Sequence, residues 1–260
     1  MVKNVRGIKK AVFVSGGTSG IGMALVKKYL QEGYFVIINF HTNSRKLSKI
    51  KSDLLKMGYE FRQHYYFLKA DISNERILKK VLLQIPNKIL DSVQVLINNA
   101  GIAKRGGILD LNPSDWVDVF KVNVFGIINL SKIFFEHAMN LRSIINIGSI
   151  RGEPAVSRIK NIAYSVSKST IPTLTAAMAK SFGPRVTVNA VLPGIIDTPL
   201  RQGVPNNEAK LSGEDNTIIK RLGKPEEVAD LCFFITSIHG SYITGSCFVI
   251  DGGYSINYIK

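Results

Sequence analysis

The chain has 260 residues, of which 45% are hydrophobic and 20% are charged, as is usual for a water-soluble folded protein. No apolar run approaches the roughly 18 residues that a membrane-spanning helix needs. The basic start leads into only a short apolar run, so we predict no export signal and a cytoplasmic location. The formal charge of +15 attracts anions, but the lysines and arginines are spread along the chain, which indicates a solvated surface and no nucleic-acid partner.

The cysteines and histidines do not indicate a metal site. Cys232 and Cys247 lie in apolar stretches and are predicted to be buried as small hydrophobic residues, with no disulfide between them. The four histidines are scattered without the spacing of metal ligands. We therefore predict a protein without a bound metal.

The first predicted strand, residues 10–15, runs directly into a glycine-rich turn at 16–22, and a helix follows over 23–31. Such a turn lets the backbone approach a pyrophosphate, while the start of the helix supplies free N–H groups and a positive dipole end. The G-x-x-x-G-x-G spacing differs from the general G-x-G-x-x-G fingerprint. The prediction of a dinucleotide site therefore rests on the position of the turn between a strand and a helix.

The end of the second predicted strand, residues 34–40, bears on the choice of cofactor. Sites that prefer NAD place an acid there to bind the ribose 2′-hydroxyl. This chain has Asn39, Phe40 and His41 instead, and the segment Ser44 to Lys46 adds the basic residues Arg45 and Lys46. We therefore predict NADP (NADPH) over NAD, with a polar helix start at the surface as the alternative explanation.

Polar residues also follow the third and fourth predicted strands, residues 64–70 and 93–97. Asp71 stands at the edge where open α/β sheets bind ligands, although it also suits the start of a helix over 73–83. Residues 98–101 either hold backbone beside a cofactor or form a turn. Both segments are candidates for contact with a nucleotide.

A long helix is predicted to begin at residues 112–115, which read Asn-Pro-Ser-Asp. Asn123 lies in the middle of this helix, where an asparagine is mildly unfavourable. We therefore expect Asn123 to have a structural or catalytic role.

Three further strands are predicted at residues 144–147, 185–191 and 245–250. Strands that alternate with helices along the whole length predict an α/β fold, here a single-domain, Rossmann-type, doubly wound parallel sheet of about seven strands with helices on both faces. No linker or repeat divides residues 1–260. The polar, irregular segment 200–222 is long for a loop in a compact domain and is predicted to form a lid over the substrate.

Ser149, Tyr164 and Lys168 form the candidate catalytic group. Tyr164 and Lys168 are four residues apart and share a helix face. An ammonium about 4 Å from a phenolate stabilises it by roughly 4 kcal/mol at an effective dielectric near 20. This energy corresponds to about three pKa units and would bring the pKa of Tyr164 close to neutral pH. This suits proton exchange with an alcohol or carbonyl oxygen held by Ser149. The alternative is an incidental Y-x-x-x-K at a helix start.

Taken together, these motifs resemble those of the short-chain dehydrogenases/reductases over nearly the whole chain. The order of the glycine turn, the Asn-Asn-Ala-Gly segment, Asn123, Ser149 and the Tyr164/Lys168 pair is typical of that family. Residues 221–228 and 242–245 resemble the branch that contains 3-oxoacyl-carrier-protein reductases. Ser15 departs from the threonine usual in the family, while the hydroxyl is retained.

The resemblance implies roles for individual residues. Tyr164 would be the acid/base, Ser149 would position the substrate oxygen, Lys168 would lower the pKa of Tyr164, and Asn123 would kink its helix and anchor a water linked to Lys168. It also implies a cofactor site formed by Ser15, Gly16, Thr18, Ser19, Gly20, Ile21, Gly22, His41, Asp71, Ile72, Asn98, Ala100, Gly101, Tyr164, Lys168, Pro193, Gly194, Ile196 and Thr198.

The implied activity is hydride transfer between NADP(H) and a carbonyl or secondary alcohol. The substrate would be a small carbonyl or alcohol compound, with a 3-oxoacyl thioester on an acyl carrier or CoA as one option and a polyol, sugar or secondary-metabolite intermediate as another. A non-catalytic NADP(H)-binding sensor or scaffold is the alternative from a different class. The family also implies a homo-oligomer, a tetramer or dimer.

Overall fold

Seven parallel strands form one sheet in the order β3-β2-β1-β4-β5-β6-β7. The structure is a computed structural model and describes residues 8–42, 46–157, 159–198 and 216–257. The strands are β1 (Ala11–Val14), β2 (Phe35–Phe40), β3 (Tyr65–Lys69), β4 (Val93–Asn98), β5 (Ser143–Ile147), β6 (Thr187–Pro193) and β7 (Cys247–Ile250).

Helices cover both faces of this sheet. They are α1 (Gly20–Gln31), α2 (Leu47–Lys56), α3 (Glu75–Leu82), α4 (Asn87–Asp91), α5 (Pro113–Phe120), α6 (Gly126–His137), α7 (Ile162–Phe182) and α8 (Pro225–Thr236). A π-helical turn, Lys121–Phe125, joins α5 to α6.

The central strands are buried throughout because both of their faces lie against helices. Successive side chains of a strand point to opposite faces, so Phe13 enters the core beside α6 while Val14 enters the core beside α1 and α8. This explains why the strands read as continuous apolar runs and do not alternate with polar residues.

The edge strand β7 differs, because its residues alternate between exposed and half-buried positions. Cys247 is exposed there, whereas Cys232 in α8 is buried. The prediction that both cysteines are buried is therefore wrong for Cys247, since an apolar stretch does not reveal that its strand lies at the edge of the sheet.

The chain reverses its direction of winding between β1 and β4. The sheet extends from β1 through β2 to β3 on one side and from β4 to β7 on the other. The carboxyl ends of β1 and β4 therefore lie at the switch point, where open α/β sheets leave a crevice for a ligand.

The seven predicted strands are confirmed, with ends that shift by one or two residues. The helix predicted over 73–83 is α3, which starts later because the Asn74 side chain accepts a hydrogen bond from Ile77 N and caps it. Helices α4 and α8 were not predicted, and the start of α2 was predicted only as the alternative explanation for residues 44–46.

The predicted lid at 200–222 falls mostly outside the described residues. Its last part, 216–222, packs on the turn after β7, where Ile218 N donates to Gly252 O over 2.8 Å. Within the described ranges, no helix has the length and apolar character to cross a membrane, and no group of three or more His, Cys, Asp or Glu side chains is arranged to hold a metal ion.

Candidate active site

The glycine turn between β1 and α1 has the backbone geometry that a pyrophosphate requires. Gly16 and Gly20 have φ values of 64° and 52°, in the left-handed region that favours glycine. A Cβ on Gly22 would lie 2.2 Å from Gly16 O, so this position has no room for a side chain. The Ser19 side chain does not cap α1, and the first turn of α1 carries no acidic residue. The helix start therefore fits an anionic group.

Ser15 and Asn99 hold this turn against the end of β4. The buried Ser15 hydroxyl accepts hydrogen bonds from Asn99 N and Ala100 N over 2.9 and 3.0 Å, and donates to Ile97 O over 3.2 Å. Asn99 Nδ2 donates in return to Ser15 O and Gly16 O. The two loops are thus fixed to each other by side chain to backbone bonds.

Ser15→Ala is expected to destabilise the fold by about 1 to 3 kcal/mol, because two part-buried N–H groups lose their acceptor. It should also weaken binding of the nicotinamide cofactor, since the glycine turn loses a hydrogen-bonded link to the end of β4. Urea unfolding and a cofactor titration measure the two effects. Ser15→Thr keeps the hydroxyl and serves as the control; equal behaviour of both variants would contradict the role assigned to the hydroxyl.

A cleft of about 670 Å³ opens at the switch point and contains most of the predicted site. All predicted cofactor and catalytic residues line it except Ser15, Asn98 and Asn123, which lie behind the wall. The cleft is also lined by residues outside the predicted set, namely Asn39, Phe40, Thr42, Ala70, Asn99, Ile102, Ala103, Val122, Ile147, Gly148, Arg151, Asn161 and Ile195.

Asn98 supports the cleft and does not line it. Its Nδ2 donates to Ser131 Oγ over 3.0 Å and to Asn146 Oδ1 over 2.9 Å. Asn146 Nδ2 continues the chain of buried hydrogen bonds to Thr175 Oγ1 over 2.9 Å. This network links β4 to α6, β5 and α7, so the contact with the cofactor implied for Asn98 is replaced by a structural role.

Asn123 lies in the π-helical turn between α5 and α6 and is completely buried. Its side chain accepts from Ile102 N over 2.8 Å and donates to Ile102 O and Ser167 Oγ, each over 2.9 Å. Ser167 in turn donates to Tyr164 O over 2.7 Å. Asn123 thereby fixes both the wall of the cleft and the first turn of α7.

Ser149, Tyr164 and Lys168 converge at the end of the cleft beneath β5. The Ser149 side chain lies close enough to the Tyr164 hydroxyl to lower its pKa by hydrogen bonding. Lys168 Nζ lies 5.8 Å from the centroid of the Tyr164 ring and donates to Ile147 O over 2.7 Å. The three side chains are therefore placed so that one substrate oxygen can reach both hydroxyls.

The electrostatics of this group differ from the prediction. Burial raises the pKa of Tyr164, although the Ser149 hydrogen bond and the positive charge of Arg151 act to lower it. Burial also lowers the pKa of Lys168 to about 8. Desolvation of the phenolate outweighs the groups that lower the Tyr164 pKa in the chain alone, and Lys168 Nζ is bonded to Ile147 O, so the lowering of the Tyr164 pKa by Lys168 stays a prediction.

His41 and Asp71 lie together at the far end of the cleft. His41 Nε2 is 3.9 Å from Asp71 Oδ2. The other oxygen, Asp71 Oδ1, accepts from Ser73 N and Ser73 Oγ. The Asp71 carboxylate is therefore hydrogen-bonded within the turn that leads into α3. These bonds explain why an acidic residue follows β3 even without a ligand.

Comparison with known proteins covers almost the entire chain. A family model described as enoyl-(acyl carrier protein) reductase matches residues 16–255. The chain is 32% identical over 247 residues to the 3-oxoacyl-[acyl-carrier-protein] reductase FabG of Aquifex aeolicus, covering 94% of this chain and 96% of that protein. It is 30% identical over 255 residues to the NADP-dependent (R)-specific alcohol dehydrogenase of Lentilactobacillus kefiri, covering 95% and 96% respectively.

A solved structure gives the same result in three dimensions. The short chain dehydrogenase from Burkholderia cenocepacia, determined in complex with NADP, aligns with a TM-score of 0.82 and 27% identity, over 95% of this chain and 98% of that one. The resemblance inferred from the motifs is confirmed by these matches. The chain belongs to the short-chain dehydrogenase/reductase family, oxidoreductases that act on CH–OH or C=O groups with a nicotinamide cofactor.

Proposed function

We propose that the protein reduces a carbonyl compound to a secondary alcohol with NADPH. The observation that carries this proposal is the convergence of Ser149, Tyr164 and Lys168 in the same cleft as the glycine turn. Bound NADPH supplies a hydride to the carbonyl carbon. The Tyr164 hydroxyl donates the proton to the carbonyl oxygen, and Ser149 holds that oxygen by a hydrogen bond.

Lys168 and Asn123 support this proton transfer. Lys168 lines the cleft and donates to Ile147 O, and its charge opposes the cost of forming a phenolate. Asn123 holds Ser167 and so the backbone of Tyr164. The presence of Asn123, Ser149, Tyr164 and Lys168 together favours an enzyme over a non-catalytic binding protein.

The test is the oxidation of NADPH, followed by its absorbance, with a panel of ketones, aldehydes and 3-oxoacyl thioesters. The reverse reaction is followed with NADP⁺ and the corresponding alcohols. Activity with at least one pair supports the proposal. Tight binding of NADPH without turnover of any pair, in either direction, would argue for the non-catalytic alternative.

The preference for NADPH is supported by the residues at the end of β2. None of residues 39–42, which the structure describes there, is acidic, and the side chain of His41 is 59% exposed at the mouth of the cleft. A 2′-phosphate meets no opposing charge from these residues. Two relatives named as NADP-dependent or solved with NADP agree with this choice.

His41→Asp is expected to lower the preference for NADPH over NADH by about tenfold or more, because a carboxylate repels the 2′-phosphate and accepts from the ribose 2′-hydroxyl. The measurement is kcat/KM for both cofactors with one carbonyl substrate. His41→Asn removes the imidazole without adding charge and is the control. An unchanged ratio in the aspartate variant would show that the phosphate lies elsewhere.

The names of the relatives point to more than one class of carbonyl substrate. Several are named 3-oxoacyl-[acyl-carrier-protein] reductases, which supports a 3-oxoacyl thioester, whereas others are named as an alcohol dehydrogenase or a glucose dehydrogenase. We also propose self-association, as a dimer or tetramer, because Phe125 in the π-helical turn and Val166 on the adjoining α7 remain 52% and 40% exposed.

A further inference from the structure

Arg151 lies beside the catalytic group in a position fixed by the backbone. It stands in a short 3₁₀ helix, Ile150–Gly152, that starts at Ser149, and Arg151 N donates to Ser149 Oγ over 3.1 Å. A Cβ on Gly152 would lie 2.6 Å from the carbonyl carbon of Lys168, so this segment packs directly on the backbone of α7. The loop is therefore in close contact with the backbone of Lys168.

The guanidinium of Arg151 is held as firmly as its backbone. Nη1 donates to Val156 O over 2.7 Å, and Nη2 lies 3.4 Å from the Tyr254 hydroxyl. The Tyr254 ring packs against the guanidinium, 5.0 Å from centroid to Cζ. Arg151 lines the cleft, and its charge acts on the Tyr164 hydroxyl. A planar cation with fixed orientation suits the recognition of a carboxylate or phosphate.

The charges along the cleft are distributed unevenly. Of the described residues that line it, Asp71 alone carries a carboxylate. Asp71 follows β3, whereas Ser149 follows β5, four strands away in the sheet, or about 19 Å at the usual strand spacing. Arg151 and Lys168 thus bring two cations to the catalytic end. A neutral ketone has no charge with which a second cation can pair, whereas an anionic substrate has one.

We propose that Arg151 is a specificity-determining residue that selects carbonyl substrates with a carboxylate or another anionic group close to the reacting carbonyl. This inference rests on the proposed carbonyl reductase activity and narrows its substrate class. The carbonyl oxygen lies between Ser149 and Tyr164, and the anionic group lies on the side of Arg151. The hydride and proton go to the carbonyl, and the anionic group takes no part in the chemistry.

The test compares acetoacetate with two neutral compounds of the same acyl chain, methyl acetoacetate and the acetoacetyl thioester of N-acetylcysteamine. We expect kcat/KM with NADPH to be about tenfold or more higher for the acid. Arg151→Gln should remove this advantage by lowering the value for the acid while the ester is nearly unchanged. Arg151→Lys should restore part of it, and Arg76→Gln, which removes an exposed charge from α3, should have no effect.

Two outcomes would overturn the inference. One is an equal or higher kcat/KM for the neutral ester or thioester. The other is an equal loss for acid and ester in Arg151→Gln, which would mean that Arg151 only supports Ser149 and Tyr254. Either result leaves the reductase activity standing.

A binding measurement separates this inference from the proposed function. Calorimetric titration of acetoacetate and its methyl ester into the complex with NADP⁺ reports the preference without turnover. Tighter binding of the acid that is lost in Arg151→Gln supports the inference even if NADPH is never oxidised. Absence of any difference between acid and ester in this titration contradicts it.

Discussion

Tyr164→Phe is expected to lower kcat for carbonyl reduction by about 10²- to 10⁴-fold, the usual contribution of a positioned acid or base. The substitution removes the hydroxyl that bonds to Ser149 and leaves the ring in place over Lys168. The affinity for NADPH should therefore change little. Single-turnover absorbance measures the chemical step, and a fluorescence titration measures the cofactor.

The matched control is Tyr242→Phe, because Tyr242 is fully exposed and lies outside the cleft. It should behave as the unmodified enzyme in both measurements. Retention of full turnover by Tyr164→Phe would remove Tyr164 from the mechanism. A parallel loss of NADPH binding would instead indicate that the hydroxyl supports the cofactor and does not transfer the proton.

Lys168→Met is expected to stabilise the fold at pH 7 while it abolishes turnover. Burial lowers the pKa of Lys168 from 10.5 to about 8, and a lowering of that size corresponds to about 3 kcal/mol of stability lost by keeping the ammonium charged. Methionine also leaves Ile147 O without its donor, at a cost of about 1 kcal/mol. The net gain should be about 2 kcal/mol, measured by urea unfolding.

The pH dependence of this gain has a defined sign. Between about pH 8 and 10.5, the folded protein has released the Lys168 proton while the unfolded chain retains it, so the stability of the unmodified protein rises with pH in this window. The advantage of Lys168→Met should therefore be full below pH 8 and shrink as the pH increases towards 10.5.

Lys180→Met is the control for this experiment, because Lys180 is exposed on the same helix. Its stability should follow that of the unmodified protein at every pH. If Lys168→Met proved less stable than the unmodified protein at pH 7, the ammonium would have to be better solvated or better paired than its surroundings indicate. A stabilised but inactive variant would show that the protein retains a costly buried charge for catalysis.

Sequence periodicity and motif order were sufficient to predict the sheet and the main components of the cleft. A parallel strand buried on both faces is a short apolar run, and a ligand at its carboxyl end requires glycines, amides or hydroxyls directly after that run. These relations are local, so they can be read from neighbouring residues. The glycine turn, the Asn-Asn-Ala-Gly segment and the Tyr164/Lys168 pair are all of this kind.

The partners of individual side chains depended on contacts between distant segments. Asn123 and Ser167 are 44 residues apart and meet only because the π-helical turn lies on α7. Asn98 turns into the core towards Asn146, 48 residues away, and so does not face the cleft. No spacing rule along the chain predicts either bond.

The electrostatics of the catalytic group depended on the tertiary structure for the same reason. The shared helix face of Tyr164 and Lys168 follows from the sequence alone, because their separation matches one turn of helix. The bond from Lys168 Nζ to Ile147 O and the effect of Arg151 on Tyr164 arise only from the folded arrangement. Desolvation and the direction of a flexible side chain depend on everything packed around it, and that packing exists only once the sheet has assembled.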